Sequence, residues 1–477
     1  MVSLGGLSSL KRRVAELAAG FGRSRMNPHV RAKLEVLKRP VMRDMVARAA
    51  RLEPLIHAPG GPRKVTWPPR VHDCRPLFDH ARGIQDALGC DPVHTVVLLP
   101  HLRRLSGASR CGMRMARALA DLHPDERVLV VLTDRHEPAQ GAEEGGSGPE
   151  IFDFAGLVPG TLRSKFRRLL LLDLLSGLRV RRIVNVNSRL GWDVFMEYGS
   201  QLRHWADLYA YLFCWDLDRD GNRTGYPIRE LQGAFSCLDG MFFDSHFLRQ
   251  EVLERYMLPA GLQKRLVTVH TPADEDLPDL TGLAGGRFDS GRPLKALWAG
   301  RLDRQKRPDV AFEIMRRLPE IELHMYGAPV FGDGGLRFRR RPRNVRLAGV
   351  YARFSALPLE EFDFFLYTSE WDGLPTVLIQ AGSCGMPVVA ADVGGVGDLI
   401  GESTGWPVFR FLDPEAYVAR IREMLSNPAE AGRRARALRK RTLEMCNHGK
   451  FLMDVGRFLD RTARIAANGH GDDASGA

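Results

Sequence analysis

Apolar residues in this chain gather in short runs separated by stretches of helical spacing, and the alternation becomes regular from His94 onward. The run His94-Thr-Val-Val-Leu-Leu-Pro100 predicts a strand, 110–122 a helix entered through a loop carrying Gly107, and Arg127-Val-Leu-Val-Val-Leu132 a second strand. Strand, helix and strand in succession make parallel sheet. Further strands are predicted at 182–186, 240–243 and 266–270, with a helix at 247–256, so one doubly wound domain is expected over 92–275. A Gly-, Asp-, Ser- and Pro-rich stretch at 276–293 reads as a linker.

A second alternation then begins. It predicts strands at 295–301, 322–327, 344–349, 363–369 and 387–391, helices at 308–318 and 375–384, and a helical stretch at 414–440. The second domain is expected over 294–445, followed by an amphipathic helix at 446–465 that packs back on the first domain and a disordered tail at 466–477. Residues 1–91 carry no strong periodicity and read as an extension with one helix at 10–19 and irregular arms. The fold class expected is α/β: two Rossmann-like parallel-sheet domains facing across a cleft.

Composition narrows the function. A chain of 477 residues exceeds what one core organises, and no apolar run approaches the roughly 20 residues of a membrane-spanning helix. No secretory signal is visible, so a cytoplasmic address is expected. The 7 cysteines form no Cys-x-x-Cys pair, which argues against a disulfide framework and a zinc site, and no metal is expected. A net charge of +12 implies an anionic partner. The basic stretches 163–182 and 337–343 lack interleaved aromatics, so nucleic acid is not expected, while 163–182 suits a peripheral contact with anionic lipid.

Parallel domains bind ligands at the carboxyl ends of their strands, where the candidate chemistry falls. The strand ending at Ala299 leads into Gly300-Arg301-Leu-Asp-Arg-Gln-Lys306, whose Arg suits bidentate contact to phosphate and whose Lys adds a point charge. Downstream, Ser369-Glu-Trp-Asp372-Gly373-Leu374-Pro375 ends one strand and opens a helix, whose first amides favour an anion. Gly394-Gly395-Val-Gly397-Asp398 follows the strand at 387–391. In the first domain His101 and Gly107 follow the first strand and Asn187 a middle one, where they are weaker candidates for contact with sugar or acceptor. Asp216-Leu-Asp218-Arg-Asp220-Gly221 matches the opening of a calcium loop but has Pro227 at its twelfth position, so a solvated turn is the preferred reading.

Taken together, 295–400 resembles the donor-binding domain of the GT-B glycosyltransferases of family 4, with a weaker likeness reaching back to His94. The resemblance implies a retaining enzyme that moves a sugar from a nucleoside diphosphate of UDP or GDP type to a carbohydrate or lipid-linked acceptor, in bacterial surface polysaccharide or glycolipid synthesis, without a further cofactor. It assigns Arg301 and Lys306 to the donor diphosphate and Asp372 to donor hydroxyls. Gly300, Leu347, Gly349, Gly373, Leu374, Pro375, Gln380, Gly395 and Asp398 fall at donor-binding positions. The family's paired glutamates map onto Asp372 and Gln380, so both depart from the pattern, and a non-catalytic nucleotide-sugar-binding or scaffold protein stays open as the alternative.

Overall fold

The computed structural model describes residues 80–469 apart from 85, 89–91, 103–106, 137–148, 159, 179, 219, 275, 287, 289–290 and 330–340, and omits the side chains of 463–469. The expected helix at 10–19, most of the basic stretch 337–343 and residues 470–477 of the expected tail lie outside the described residues.

The first sheet is built from β1 (Thr95–Leu99), β2 (Val128–Leu132), β3 (Glu150–Phe152), β4 (Arg182–Val186) and β5 (Asp207–Leu212). After a small antiparallel hairpin of β6 (Asp216–Leu217) and β7 (Arg223–Thr224), it continues with β8 (Gly240–Phe243) and β9 (Leu266–Thr268). Its spatial order is β3-β2-β1-β4-β5-β8-β9, and every pairing is parallel. All five residues of both β1 and β2 are buried, which is why those strands are continuous apolar runs. The helices α1 (Gly107–Leu122), α2 (Ser164–Gly177), α3 (Arg189–Leu202) and α4 (His246–Tyr256) make the crossovers.

The second sheet runs β12-β11-β10-β13-β14-β15, again entirely parallel. Its strands are β10 (Leu294–Ala299), β11 (Ile321–Tyr326), β12 (Val345–Gly349), β13 (Phe364–Tyr367), β14 (Val388–Ala391) and β15 (Trp406–Val408). Helices α5 (Pro308–Arg317), α6 (Thr376–Cys384), α7 (Pro414–Ser426) and α8 (Pro428–Met445) accompany it. The expected fold class is therefore present, two parallel-sheet domains each with its own core.

The last helix, α9 (His448–Gly469), sends Phe451, Val455, Phe458 and Leu459 into the core of the first sheet. Phe458 packs edge-on to Phe242 at 4.9 Å and to Tyr209 at 6.3 Å, and burial of a side chain of that size is worth roughly 1.5–3 kcal/mol. The chain consequently crosses between domains twice, and the two crossings are joined where Ala273 N–H donates to Cys446 O at 2.8 Å.

In each sheet the chain winds outward from a central strand and then returns to its other side. The order therefore reverses between β1 and β4 and between β10 and β13. Strand-end loops diverge at such reversals and leave a crevice. The loops after β10 and β13 carry the motifs of the second domain; the loop after β1 carries His101 and leads to Gly107 at the start of α1, and the loop after β4 carries Asn187.

Candidate functional site

The loop after β10 is held from within. Asp303, 5% exposed, accepts from Lys306 N–H at 3.1 Å and pairs with Arg301 Nε at 3.0 Å. Trp298 Nε1 donates to Thr368 Oγ1 at 3.0 Å, and Thr368 in turn donates to Lys306 O at 2.9 Å, so the ends of β10 and β13 are tied by a buried chain of hydrogen bonds. Gly327, with φ of +148°, passes so close that a Cβ there would stand 1.8 Å from Gly300 O. The Arg301 guanidinium reaches Gln305, whose amide donates to Trp371 O at 2.9 Å.

β13 ends at Tyr367, and the carboxylate of Asp372 receives both the Lys306 ammonium and the Tyr367 hydroxyl. The Lys306 and Asp372 side chains are 13% and 16% exposed, so the pair is neither solvated nor sealed. Burial, reinforced by the charge of Asp372, pushes the Tyr367 hydroxyl well above its ordinary range and keeps it a donor. A cation, a guanidinium and the first turn of α6 thus converge at the reversal of the second sheet, an arrangement suited to a phosphate-bearing ligand.

The first domain closes on this loop. Leu374 N–H donates to Asp244 Oδ2 at 2.9 Å, Arg110 Nη2 to Thr376 Oγ1 at 3.0 Å, and Arg304 Nη1 to Asp218 O at 2.9 Å. Asp244 is 4% exposed and its Oδ1 meets no partner among the described residues; burial pushes its carboxyl far above the usual carboxylate range. Gly373 is fixed by this approach, since a Cβ there would lie 2.1 Å from Asp244 Oδ2 and 2.4 Å from Phe213 O.

Of the residues singled out from sequence, Gly300, Arg301, Lys306, Asp372, Gly373, Leu374 and Pro375 line these two loops, and Gly395 joins them by donating from its N–H to Gly373 O at 3.1 Å. Leu347 and Gly349 stand exposed on β12, with Gly349 O accepting from Gly327 N–H at 2.7 Å. Gln380 is 2% exposed on α6 and donates to Asp274 Oδ2 at 2.6 Å; Asp274 also pairs with Arg114. Asp398 accepts from His246 N–H at 2.8 Å and meets His270 Nε2 at 3.1 Å.

Gly107 lies against Thr376, while His101 is tied to Ser109 and Asn187 takes a φ of +62°, both within the first domain. Asp218 spends its carboxylate on the turn, accepting from Asp220 N–H at 2.9 Å and Asn222 N–H at 2.8 Å, as the solvated-turn reading expects. Sequence reasoning does not assign Tyr367, Asp244, Asp274, Arg110 or Thr376. Tyr367 ends its strand five residues before Asp372, which is a usable signal; the segments holding Asp244 and Asp274 resemble family segments, but the contacts of the two carboxylates are not foreseeable, because their partners lie 130 and 106 residues away.

Residues 293–427 match the family profile of the glycosyl transferases group 1. Among curated proteins the chain is 29% identical over 208 residues to the glycogen synthase of Thermus thermophilus, covering 42% of this chain and 44% of that one. It is 30% identical over 112 residues to the O-antigen biosynthesis glycosyltransferase WbnH of Escherichia coli, covering 22% and 31%. The chain thus spans less than half the length of either relative.

Among solved structures it is similar to a sucrose-phosphate synthase of Thermosynechococcus elongatus, with TM-score 0.61 and 18% identity over 78% of this chain and 100% of that one. It is also similar to Anabaena HepE in complex with UDP and glucose, with TM-score 0.59 and 15% identity over 77% and 99%. The chain has the GT-B fold, and its residues 293–427 are similar to the glycosyl transferases group 1.

Proposed function

We propose that this chain is a retaining glycosyltransferase that moves a sugar from a nucleoside diphosphate of UDP or GDP type to an acceptor hydroxyl, in the synthesis of a bacterial surface glycan or glycolipid. The observation that carries the reading is the meeting of Lys306, Tyr367 and Asp372 at the reversal of the second sheet, with Arg301 beside them. A donor diphosphate would take Lys306 and Arg301, and Lys306 would then release Asp372 to receive donor hydroxyls. The two cations offset the charge that grows on the departing diphosphate as the sugar becomes oxocarbenium-like. The leaving phosphate takes the acceptor proton on the same face, so the side chains need supply no base.

The family match over the donor half supports this assignment, as does the likeness to a fold neighbour solved in complex with UDP and glucose. The O-antigen relative supports a surface-glycan acceptor, contacted from the first-domain loops at His101, Gly107 and Asn187. We assign the enzyme to the cytoplasm, at the inner face of the membrane, where the basic stretch 163–182 meets anionic lipid. Within the basic stretch Arg167, Arg168 and Arg182 are spent on Thr133 O, Glu197 and Glu126, so contact with anionic lipid falls to the exposed Arg163, Lys165 and Arg181.

The test is a thermal-shift panel of UDP, GDP, ADP and their common sugars against wild type and the Arg301→Ala/Lys306→Ala variant. The expected result is stabilisation by one nucleotide family, lost in the variant, with sugar transfer from that donor. Binding without turnover would move the assignment to a non-catalytic nucleotide-sugar-binding or scaffold protein, and no shift with any donor would overturn both.

A further inference from the structure

On the flank of the domain boundary, His246 begins α4, His270 lies just beyond β9 where the chain prepares to leave the first domain, and Asp398 closes a turn of 3-10 helix in the second domain. One ligand atom from each lies within 4.8 Å of the other two. We propose that these three side chains bind one borderline divalent cation, of the Zn2+ or Co2+ class, which joins the two domains.

The geometry is close to that of a bound ion. Ligands at about 2.0–2.1 Å from a tetrahedral centre stand about 3.3 Å from one another. His270 Nε2 and Asp398 Oδ2 are 3.1 Å apart. The third ligand, from the exposed His246, needs to move by at most about 1.5 Å to reach that spacing, given the 4.8 Å bound. Two imidazoles and one carboxylate select a borderline cation over Mg2+ or Ca2+, which take oxygen ligands.

The ligand set is also supported from outside. Asp398 Oδ2 already accepts from His246 N–H at 2.8 Å, which orients the carboxylate, and Arg441 Nε donates to the Asp398 main-chain carbonyl at 2.8 Å, which fixes the backbone that carries it. The neighbouring cations are engaged elsewhere: Lys450 donates to Asp454 Oδ2 at 2.7 Å and Arg249 to Leu266 O at 3.3 Å. Two ligands belong to the first domain and one to the second, so such an ion stabilises the closed arrangement of the cleft. Sequence inspection, which finds no Cys-x-x-Cys pair, expects no metal, and these ligands share no local motif that would revise it: Asp398 stands 128 residues from His270 and 152 from His246.

The inference does not rest on donor chemistry, and its test reads the metal alone. Full-length chain without a histidine tag is stripped with a chelator and titrated with Co2+ and Zn2+, following visible absorption and metal retained after desalting. The expected result is one ion per chain with a Co2+ spectrum of a nitrogen- and oxygen-ligated site, weakened at least tenfold in His246→Ala and in Asp398→Asn, and a rise in Tm with Zn2+ in wild type alone. Far-UV circular dichroism checks that both variants are folded. Sub-stoichiometric metal in wild type, or equal binding in wild type and folded His246→Ala, overturns the proposal.

Discussion

The side-chain amide of Gln380 donates to the carboxylate of Asp274 at 2.6 Å, and Arg114 meets the same carboxylate. Gln380 stands where the resemblance has a glutamate, and the contact gives a physical reason for the difference. A second carboxylate at that position would face Asp274 with 2% of the residue exposed. Gln380→Glu is therefore expected to lower stability by about 1–3 kcal/mol at pH 7. The new carboxyl, buried beside a like charge, has its folded-state pKa raised, so the penalty is present at high pH and fades as pH falls and the group takes up a proton. Denaturant unfolding at pH 7 and pH 5 measures it; a variant as stable as wild type at pH 7 contradicts the account.

Tyr367→Phe removes one of the two side-chain donors to the Asp372 carboxylate, which also accepts from Gly373 N–H at 3.1 Å, and leaves the buried ring in place. A loss of about 0.5–1.5 kcal/mol in stability is expected. A fall of roughly tenfold in kcat is expected from a misplaced carboxylate. Donor KM should change less than kcat, because Lys306 and Arg301 keep the diphosphate. Steady-state kinetics on the cognate donor checks the split, and an unchanged kcat would remove Tyr367 from the site.

Gly373→Ala forces a methyl group against Asp244 Oδ2 and Phe213 O, one of them backbone that cannot swing away. It should destabilise by about 1–3 kcal/mol or hold the domains apart. Gly177, the last residue of α2, has open space within 4 Å of the point where a Cβ would stand, so Gly177→Ala serves as the control and should be neutral or stabilising by up to about 1 kcal/mol. Thermal denaturation and small-angle scattering of both variants distinguish the two effects.

Asp244 gives a pH prediction. Burial raises its folded-state pKa well above the unfolded value, so the folded chain holds a proton that the unfolded chain has already released. The contribution of this group to stability then falls as pH rises above about 4, the ordinary carboxylate pKa. Asp244→Asn keeps an oxygen for Leu374 N–H and removes the titration, so the variant should gain on wild type as pH rises above about 4, until the folded-state carboxyl itself ionises. Urea midpoints between pH 4 and pH 8 test it, and parallel curves would show that Asp244 does not titrate.

What was legible in the sequence followed burial. Strands such as β1, β2 and β8 lie between helix layers and read as unbroken apolar runs. β3, an edge strand of three residues with two of them exposed, offers too little pattern, and β15 contains Pro407, which argues locally against a strand. β5 begins with Asp207 shortly after the end of α3 and blends into it.

At the site, the loops after β10 and β13 were readable because strand, loop and helix stand together in sequence. The pairings of Asp244, Asp274 and Arg110 were not, because each acquires its partner only when the two domains meet. Local spacing carries no record of such a meeting.

The return of α9 to the first domain means that no single cut divides this protein into its two halves. A fragment ending near residue 275 would leave Tyr209 and Phe242 facing water where Phe458 now sits, while the remainder would carry an amphipathic helix with no partner. The two crossings are also stitched to each other at Ala273 and Cys446. A pair of tied strands resists rotation of one half about the other better than a single strand does, which keeps the loops that meet around Gly373 in one register.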